Sequence, residues 1–434
     1  MKTMNKTLLA TAVALASTQS LAAGFQLNSQ SATGIGRAFA GDAVIADNAS
    51  VLARNPAAMA LFDAPAFSGG LTYADVSIDI KDVSHQGILG NPVDMGGIDD
   101  AGSGKVIPNI FYIHPLNDKV AVGFAAFSNF GTGTDSSSLL KDNPLYAPFD
   151  LIGNTEVTTV NFNASVSYRI NEHLSLGAGV DMIYGEGALD RYMGATPLVD
   201  VEADGIGFGG ILGATYEINE NHRFGLSYRF SPDVVVEGDI NTISPQFIPG
   251  VGIKNVATNF EELEVPLADI FQFAGFHQLT NQFALHYTAQ WTQWSNFHQI
   301  TAKDGTGVIV DLPDAPTIPV GDVALKEYKW KDSWFLSLGG TYNVNDKWTL
   351  RAGYAYDQGV VDEISSISIP DSDRQWFTAG VGYNLTPKST IDFGFAYIMG
   401  EEVDLIENSA VVGPVNATTE SGAMYYSIQY SHQF

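Results

Sequence analysis

Apolar and polar residues alternate along most of this chain with a period of two, the spacing that sends successive side chains to opposite faces of a β-strand. In "HLSLGAGVDMIY", Leu174, Leu176, Ala178, Val180, Met182 and Tyr184 share one face, and Ser175, Gly177, Gly179 and Asp181 share the other. "RFGLSYRF" divides the same way, with Phe224, Leu226, Tyr228 and Phe230 opposing Arg223, Gly225, Ser227 and Arg229. The pattern recurs in "QFALHYTAQW", "WTLRAGYAYD" and "TIDFGFAYI". One face of each strand is greasy and the other small or polar, which by itself suits a soluble sandwich as well as a membrane barrel.

Three features favour the barrel. Tight turns occur at 115–118, 170–173, 218–222, 279–282, 344–347 and 385–388, and they alternate with longer Gly, Asp, Ser and Pro-rich stretches at 81–105, 131–154, 185–205, 238–262, 301–328, 359–373 and 401–420. Short turns on one side and long loops on the other are the habit of outer-membrane barrels. Most strands run about ten residues or more, enough to cross a bilayer when tilted. The chain closes on "MYYSIQYSHQF", where Met424, Tyr426, Ile428, Tyr430 and the terminal Phe434 share a face, resembling the terminal signal of outer-membrane barrels. The expected fold is therefore all-β and transmembrane, with about fourteen antiparallel strands near 67–80, 106–115, 119–130, 155–170, 173–184, 206–218, 222–237, 264–278, 281–299, 329–344, 347–358, 374–385, 388–400 and 421–434.

Two segments stand outside the alternation. Residues 1–22, with Lys2 and Lys6 before "LLATAVALA" and a small-residue boundary, read as a secretory signal peptide, so that the mature chain begins at Ala23. Residues 23–66 are rich in Ala and Gly, and Asn55 followed by Pro56 supplies a helix cap and first position for "PAAMALF". A barrel of this size leaves a water channel unless something fills it. The expectation is a small N-terminal hatch with short helices inside the lumen, and a barrel over 67–434.

Composition narrows the choices further. Hydrophobic residues make up 45% of the 434 positions and charged residues 16%, so disorder is excluded. There is no cysteine, hence neither a disulfide framework nor a thiolate metal site. A formal charge of −27 argues against nucleic acid as a partner. The acids gather in loop-like stretches such as "DDAG" and "NFEELE"; a solvated loop surface and a rim holding divalent cations between lipopolysaccharide phosphates both fit.

The residues "AGFQLNSQSATGIGRAFAGDAVIADNASVLARNPAAMALFD", 23–63, resemble the hatch of FadL-type long-chain fatty acid transporters, including Asn55, Pro56 and Ala57. "SNFGTGT", "LDRYMG", "YKWKDSW" and "SISIPDSDRQWFTAG" are similar to the same family, and the likeness spans the mature chain. The resemblance implies a fourteen-stranded plugged barrel and passive uptake of long-chain fatty acids or other hydrophobic molecules across the outer membrane, with no cofactor and no catalysis. It also implies that hatch movement opens the pocket and that ligand leaves sideways where the third strand kinks, at Ser128, Asn129, Phe130 and Gly131. Arg191 and Lys331 match the family's carboxylate-binding positions, and Phe25 matches its apolar plug residue. Strand phase places Lys331 in the lumen with Ser333 and Phe335, opposite Trp334, Leu336 and Leu338. Arg374 takes the same inward phase, where an acidic neighbour would pair with it.

The segment after Arg191, "YMGATPLVDVEADGIG", is shorter than in several relatives of this type, which bears on the groove for first capture. "GIGFGG" at 205–210 has dinucleotide-loop spacing but begins a strand with no βαβ unit around it. The histidines lack metal-ligand spacing, His286 reads as a water-bonded lumen residue, and no G-x-S-x-G elbow occurs. The competing functions are a channel for aromatic hydrocarbons of the same family, a general diffusion porin and an outer-membrane enzyme. The expected partners are hydrophobic small molecules, outer-membrane lipids and lipopolysaccharide, with the protein a monomer and its loops available as a phage receptor.

Overall fold

The computed structural model describes residues 24–141, 146–312, 316–362 and 364–434; the expected signal peptide 1–22 and Ala23 lie outside the described residues. A sheet of 22 hydrogen-bonded segments makes up a closed antiparallel barrel of 14 strands. The last strand, Gly413–Gln433, pairs with the first, Ala66–Gln86, from Ala66↔Gln433 to His85↔Val415. Closure removes the free sheet edges apart from a break at the third strand and pairs most of the wall's backbone with neighbouring strands.

The short turns form where the sequence places them, and side-chain oxygens shape them. Asn117 Oδ1 accepts from the backbone N–H groups of Lys119 and Val120, Asn171 Oδ1 from those of His173 and Leu174, and Asn345 Oδ1 from those of Lys347 and Trp348. Thr280 Oγ1 serves the fourth such turn, accepting from the backbones of Gln282 and Phe283. These Asx-type turns satisfy donors that a tight reversal would otherwise strand.

Strand phase is as expected through the membrane. Leu176, Val180, Phe208, Leu212, Trp334, Leu336, Leu338 and Ile428 are exposed on the outer wall, whereas Ser175, Asp181, Ser333 and Phe335 are buried inside.

The expected loops at 185–205, 238–262, 301–328 and 401–420 are instead largely strand. The fifth and sixth strands run Leu174–Met193 and Thr196–Asn219 and meet in a turn at Gly194. Further around the wall, Asp233–Ile248 pairs with Gly252–Asn259, and Gln299–Ile309 pairs with Ile318–Glu327. The physical reason is an inversion of polarity. Above the membrane Val201, Ala203, Val234 and Val236 are buried inside, while Glu202, Asp204 and Glu237 point to solvent. Alternation continues, but the apolar face now looks inward, so a search for lipid-facing grease reads these segments as loop.

Residues from 24 to the first strand fold inside the barrel as one short α-helix, Ala32–Gly36, and two 3-10 helices, Ala49–Ala53 and Pro56–Leu61. The segment expected as a helix from Pro56 is a 3-10 turn. Its cap is Asn55, whose Oδ1 accepts from Ala57 N at 3.0 Å and whose Nδ2 donates to Ala43 O at 2.9 Å and to Ala214 O of the wall at 3.0 Å. Inward-facing glycines let the hatch press against the wall. A Cβ on Gly213 would overlap Asn55 Oδ1, and one on Gly353 would overlap the backbone of Arg37.

Buried charges also fix the hatch. Burial disfavours the Arg37 guanidinium, but the carboxylates of Asp47 and Asp42, each 2.7 Å away, outweigh that and raise its pKa. On the wall, Arg229 pairs with Asp181 and donates Nη2 to Ala53 O of the hatch at 2.7 Å. Asp181→Ala leaves that buried guanidinium without its counter-charge. The expected loss is about 3–5 kcal/mol, measured by urea unfolding of the barrel in lipid vesicles; a change below about 1 kcal/mol contradicts the pair's role.

Candidate functional site

Phe25 sits in an aromatic cage in the lumen. Its ring centroid lies 4.8 Å from Trp294, 5.0 Å from Phe297, 5.8 Å from Phe130 and 5.9 Å from Trp330, and Phe25 is 1% exposed. Edge-to-face packing of this kind adds to simple area burial. Trp294 and Phe297 come from a 3-10 turn, Trp294–Asn296, that interrupts the ninth strand and turns both rings inward.

The same hydrophobic cluster continues into a narrow apolar cleft with a cavity volume of about 60 Å³. Val201, Val234, Val236, Leu263 and Ile300 line it from inward phases of the strands, joined by Leu267 from the connection after Pro266. That volume is well below the about 300–1,000 Å³ of ordinary ligand pockets, so the cleft is narrow as it stands. The inversion of polarity thus builds a greasy interior in the extracellular half of the barrel.

Arg191 stands at the rim of this cleft and is 4% exposed. Its guanidinium donates to Thr155 Oγ1 at 2.8 Å and to the carbonyls of Asn154 and Asp190 at 2.7 Å each, and Thr155 is itself a cleft residue. Among the described residues it forms no ion pair with a carboxylate, so its charge is available to an incoming anion.

Lys331 is placed less simply. The strand begins at Ser333, so the phase argument does not extend to Lys331. Its N–H donates to Val360 O at 2.9 Å, its side chain is half-buried, and it makes no ion pair among the described residues. No contact joins Lys331 to Arg191 among the described residues. Tyr328, within electrostatic range of Arg191, lies 5.2 Å from Trp330, the sequence neighbour of Lys331.

The third strand is broken. Val120–Phe127 pairs with both neighbours, then Ser128, Asn129 and Phe130 leave the ladder, and Gly131–Asp135 resumes against the fourth strand alone. Register passes from Phe127↔Asn161 to Gly131↔Thr158, a one-residue bulge. The upper part of the second strand, 105–109, therefore has no third-strand partner among the described residues. Beside this window the side-chain amides of Asn109 and Asn129 hold buried atoms without partners.

The hatch occupies the break. Leu27 N donates to Asn129 O at 2.6 Å, and Gly131 N donates to Phe25 O at 2.8 Å, flanking an antiparallel bridge between Gln26 and Phe130. Gln30 Nε2 donates to Ser128 O at 2.9 Å. The segment carrying the Phe25 plug is therefore also the edge partner of the kink, and neither can move without disturbing the other. Pro56 and Ala57 pack against Gly177 of the fifth strand, with Pro56 also against Gly213 of the sixth, and neither is among the described residues that line the cleft.

Asp371 is a residue that sequence reasoning missed, although "PDSDR" was singled out. Its carboxylate accepts from Gly24 N at 3.1 Å, from Val360 N at 2.5 Å and from Arg374 Nη2 at 2.6 Å. It ties the start of the plug segment to the wall and gives Arg374 its acidic partner. The signal was the acid three residues before a lumen-facing arginine, but no pattern pointed to residue 24. His286 likewise finds a protein partner, Thr341 Oγ1 at 2.9 Å.

With this geometry in view, similarity to known proteins is informative. The signature of the family described as "Outer membrane protein transport protein (OMPP1/FadL/TodX)" matches residues 13–434. A "Long-chain fatty acid transport protein" of Escherichia coli O6:H1 is 31% identical over 463 residues, covering 99% of this chain and 98% of its own. A "47 kDa outer membrane protein" of Pasteurella multocida is 33% identical over 456 residues, with 99% and 98% covered. Among solved structures, a Pseudomonas aeruginosa FadL homologue matches with a TM-score of 0.74 at 22% identity, covering 95% of this chain and 100% of that one. The Pseudomonas putida toluene transporter TodX matches at 0.64 and 18% identity, with 93% and 98% covered.

Proposed function

The chain belongs to the OMPP1/FadL/TodX family of outer membrane transport proteins, a family of channels rather than enzymes, and from that premise we propose that it takes up long-chain fatty acids by passive diffusion. Its substrates are hydrophobic molecules and its place is the bacterial outer membrane. The observation that favours a fatty acid over a neutral aromatic is the apolar cleft with Arg191 at its rim, a guanidinium with no carboxylate ion pair among the described residues.

The energetics suit capture from dilute solution. A tail of about fifteen methylenes gains roughly 0.8 kcal/mol per CH₂ on leaving water, about 12 kcal/mol before the costs of immobilisation. The carboxylate stays at Arg191, where it exchanges neutral acceptors for a charge-assisted contact, with Lys331, next to Trp330 in the chain, a second basic residue.

Release follows from the shared segment. A tail advancing into the aromatic cage displaces Phe25, and Phe25 cannot leave without withdrawing Gln26 and Leu27 from the kink. The gap beside the second strand then opens toward the bilayer, where the tail is more soluble than in any protein pocket. The protein supplies a path, and the concentration gradient supplies the direction.

Purified protein is expected to bind a long-chain fatty acid at least about tenfold more tightly than toluene. Arg191→Ala with Lys331→Ala is expected to weaken fatty acid binding about tenfold or more, the size of a lost charge-assisted hydrogen bond, while leaving the methyl ester's affinity unchanged. Titration calorimetry in detergent measures both. Unaltered fatty acid affinity in the double variant would refute the carboxylate site; stronger binding of toluene would refute the substrate class.

A further inference from the structure

The arginines of the lumen divide into two kinds. Arg37, Arg229, Arg351 and Arg374 each pair with a carboxylate. Among the described residues Arg54 does not, although it is only 7% exposed. Its Nη1 donates to Gln290 Oε1 at 3.1 Å, and its Nη2 donates to Asn28 Oδ1 at 3.0 Å and Gln30 Oε1 at 2.7 Å. Nε has no partner among the described residues, and the guanidinium lies over the Phe39 ring at 5.1 Å. The carboxylate of Asp42 is engaged by Arg37. Burial drives the Arg54 pKa down to about 10, as befits a cation held by neutral groups.

Two of its three acceptors, Asn28 and Gln30, belong to the segment that carries Phe25 and completes the kink. Gln30 bonds Arg54 through its oxygen and Ser128 of the kink through its nitrogen. Arg54 therefore stands one side chain behind the break in the wall. Withdrawal of the segment strips the guanidinium of all but Gln290, and a buried cation so exposed calls for an anion. A carboxylate meets that need with the bidentate geometry a guanidinium offers.

We propose that Arg54 is a second carboxylate station, below the cleft, that receives the head group as the plug segment withdraws and so makes opening of the kink favourable for acids but not for neutral hydrocarbons. This deepens the fatty acid transport reading and rests on it. A neutral ligand can displace Phe25, but it leaves Arg54 unpaired and the segment returns. An acid replaces the lost amide oxygens with a stronger acceptor and holds the gate open during its own passage.

The test compares oleic acid with methyl oleate, using the full chain reconstituted in liposomes, with folding checked by heat-modifiable electrophoretic mobility. Arg54→Gln is expected to lower the acid-to-ester ratio of uptake rates about tenfold, the size of one lost charge-assisted hydrogen bond, while equilibrium binding of oleic acid at the cleft stays unchanged. Gln30→Ala, which removes a competing acceptor, is expected to raise the same ratio. Equal loss for acid and ester in Arg54→Gln, or no change in either, overturns the station while leaving transport intact. If Arg54→Gln does not fold, the Gln30→Ala ratio decides: an increase supports the station and an unchanged ratio overturns it. If the unsubstituted protein transports neither compound, the transport reading itself falls, and the station with it.

Discussion

Cross-linking Gln26 to Phe130 is expected to abolish uptake. The hydrogen bonds of Leu27 and Gly131 flank this pair, which makes it a non-hydrogen-bonded antiparallel pair with Cα atoms about 4.5 Å apart. That spacing lies within the reach of a disulfide, about 4.4–6.8 Å, and the side chains of paired residues emerge on the same side. The chain has no cysteine of its own, so Gln26→Cys with Phe130→Cys creates one possible intramolecular bond. In the oxidised form the plug segment is stapled to the kink, Phe25 cannot leave its cage, and fatty acid uptake should fall at least about a hundredfold, the shift that about 2.7 kcal/mol would produce. Reductant should restore it in the same preparation, which removes the lost Phe130 ring from the comparison. Equal uptake by oxidised and reduced protein would mean that the segment need not move.

The second large effect concerns seating of the whole hatch. Gly213 and Gly353 face inward where the hatch touches the wall, and any Cβ there overlaps Asn55 or the Arg37 backbone. Neither neighbour is the loose end of a flexible side chain, since Asn55 is held by three hydrogen bonds. Overpacking costs about 1–3 kcal/mol at a site that can adjust. Leucine at both positions should therefore weaken seating by a few kcal/mol, roughly a hundredfold in the seated population. The barrel's own ladder does not depend on the hatch, so the wall should still close. The expected readout is a steady ion conductance in planar bilayers, far above that of the unsubstituted protein. Unchanged low conductance with normal uptake would show that the hatch tolerates the added volume.

What the sequence revealed and what it hid divide along a physical line. Lipid-facing alternation is a local signal, and Trp348–Asp357 and the Leu174–Tyr184 part of the fifth strand emerge from it because every second residue must be apolar in hydrocarbon. Turn chemistry is also local, and Asn117, Asn171 and Asn345 mark reversals wherever they occur. The hatch is visible as a break in alternation with its own cap at Asn55.

The cleft was not legible in the same way. Its walls alternate with opposite polarity, as in "VDVEAD", where Val199 and Val201 alternate with Asp200, Glu202 and Asp204. A search for inverted alternation directly beyond each membrane span would have found them. Arg191 was noticed through family likeness, and Arg54 was passed over beside the Asn55–Pro56 cap. Its importance depends on which acceptors surround it, namely Asn28, Gln30 and Gln290. Those residues are brought together only by the tertiary fold. The same holds for Asp371 and residue 24, which are 347 positions apart.

The central claim is that the lumen cleft and the Phe25 cage form one ligand path, closed by the plug segment. A crystal structure of the purified protein at saturating long-chain fatty acid tests it most directly. The account predicts continuous density for the tail among Val201, Val234 and Leu263, the carboxylate within hydrogen-bond distance of Arg191, and Phe25 displaced from Trp294 and Phe297. Ligand density confined to the outer wall, with Phe25 still seated in its cage, would contradict it.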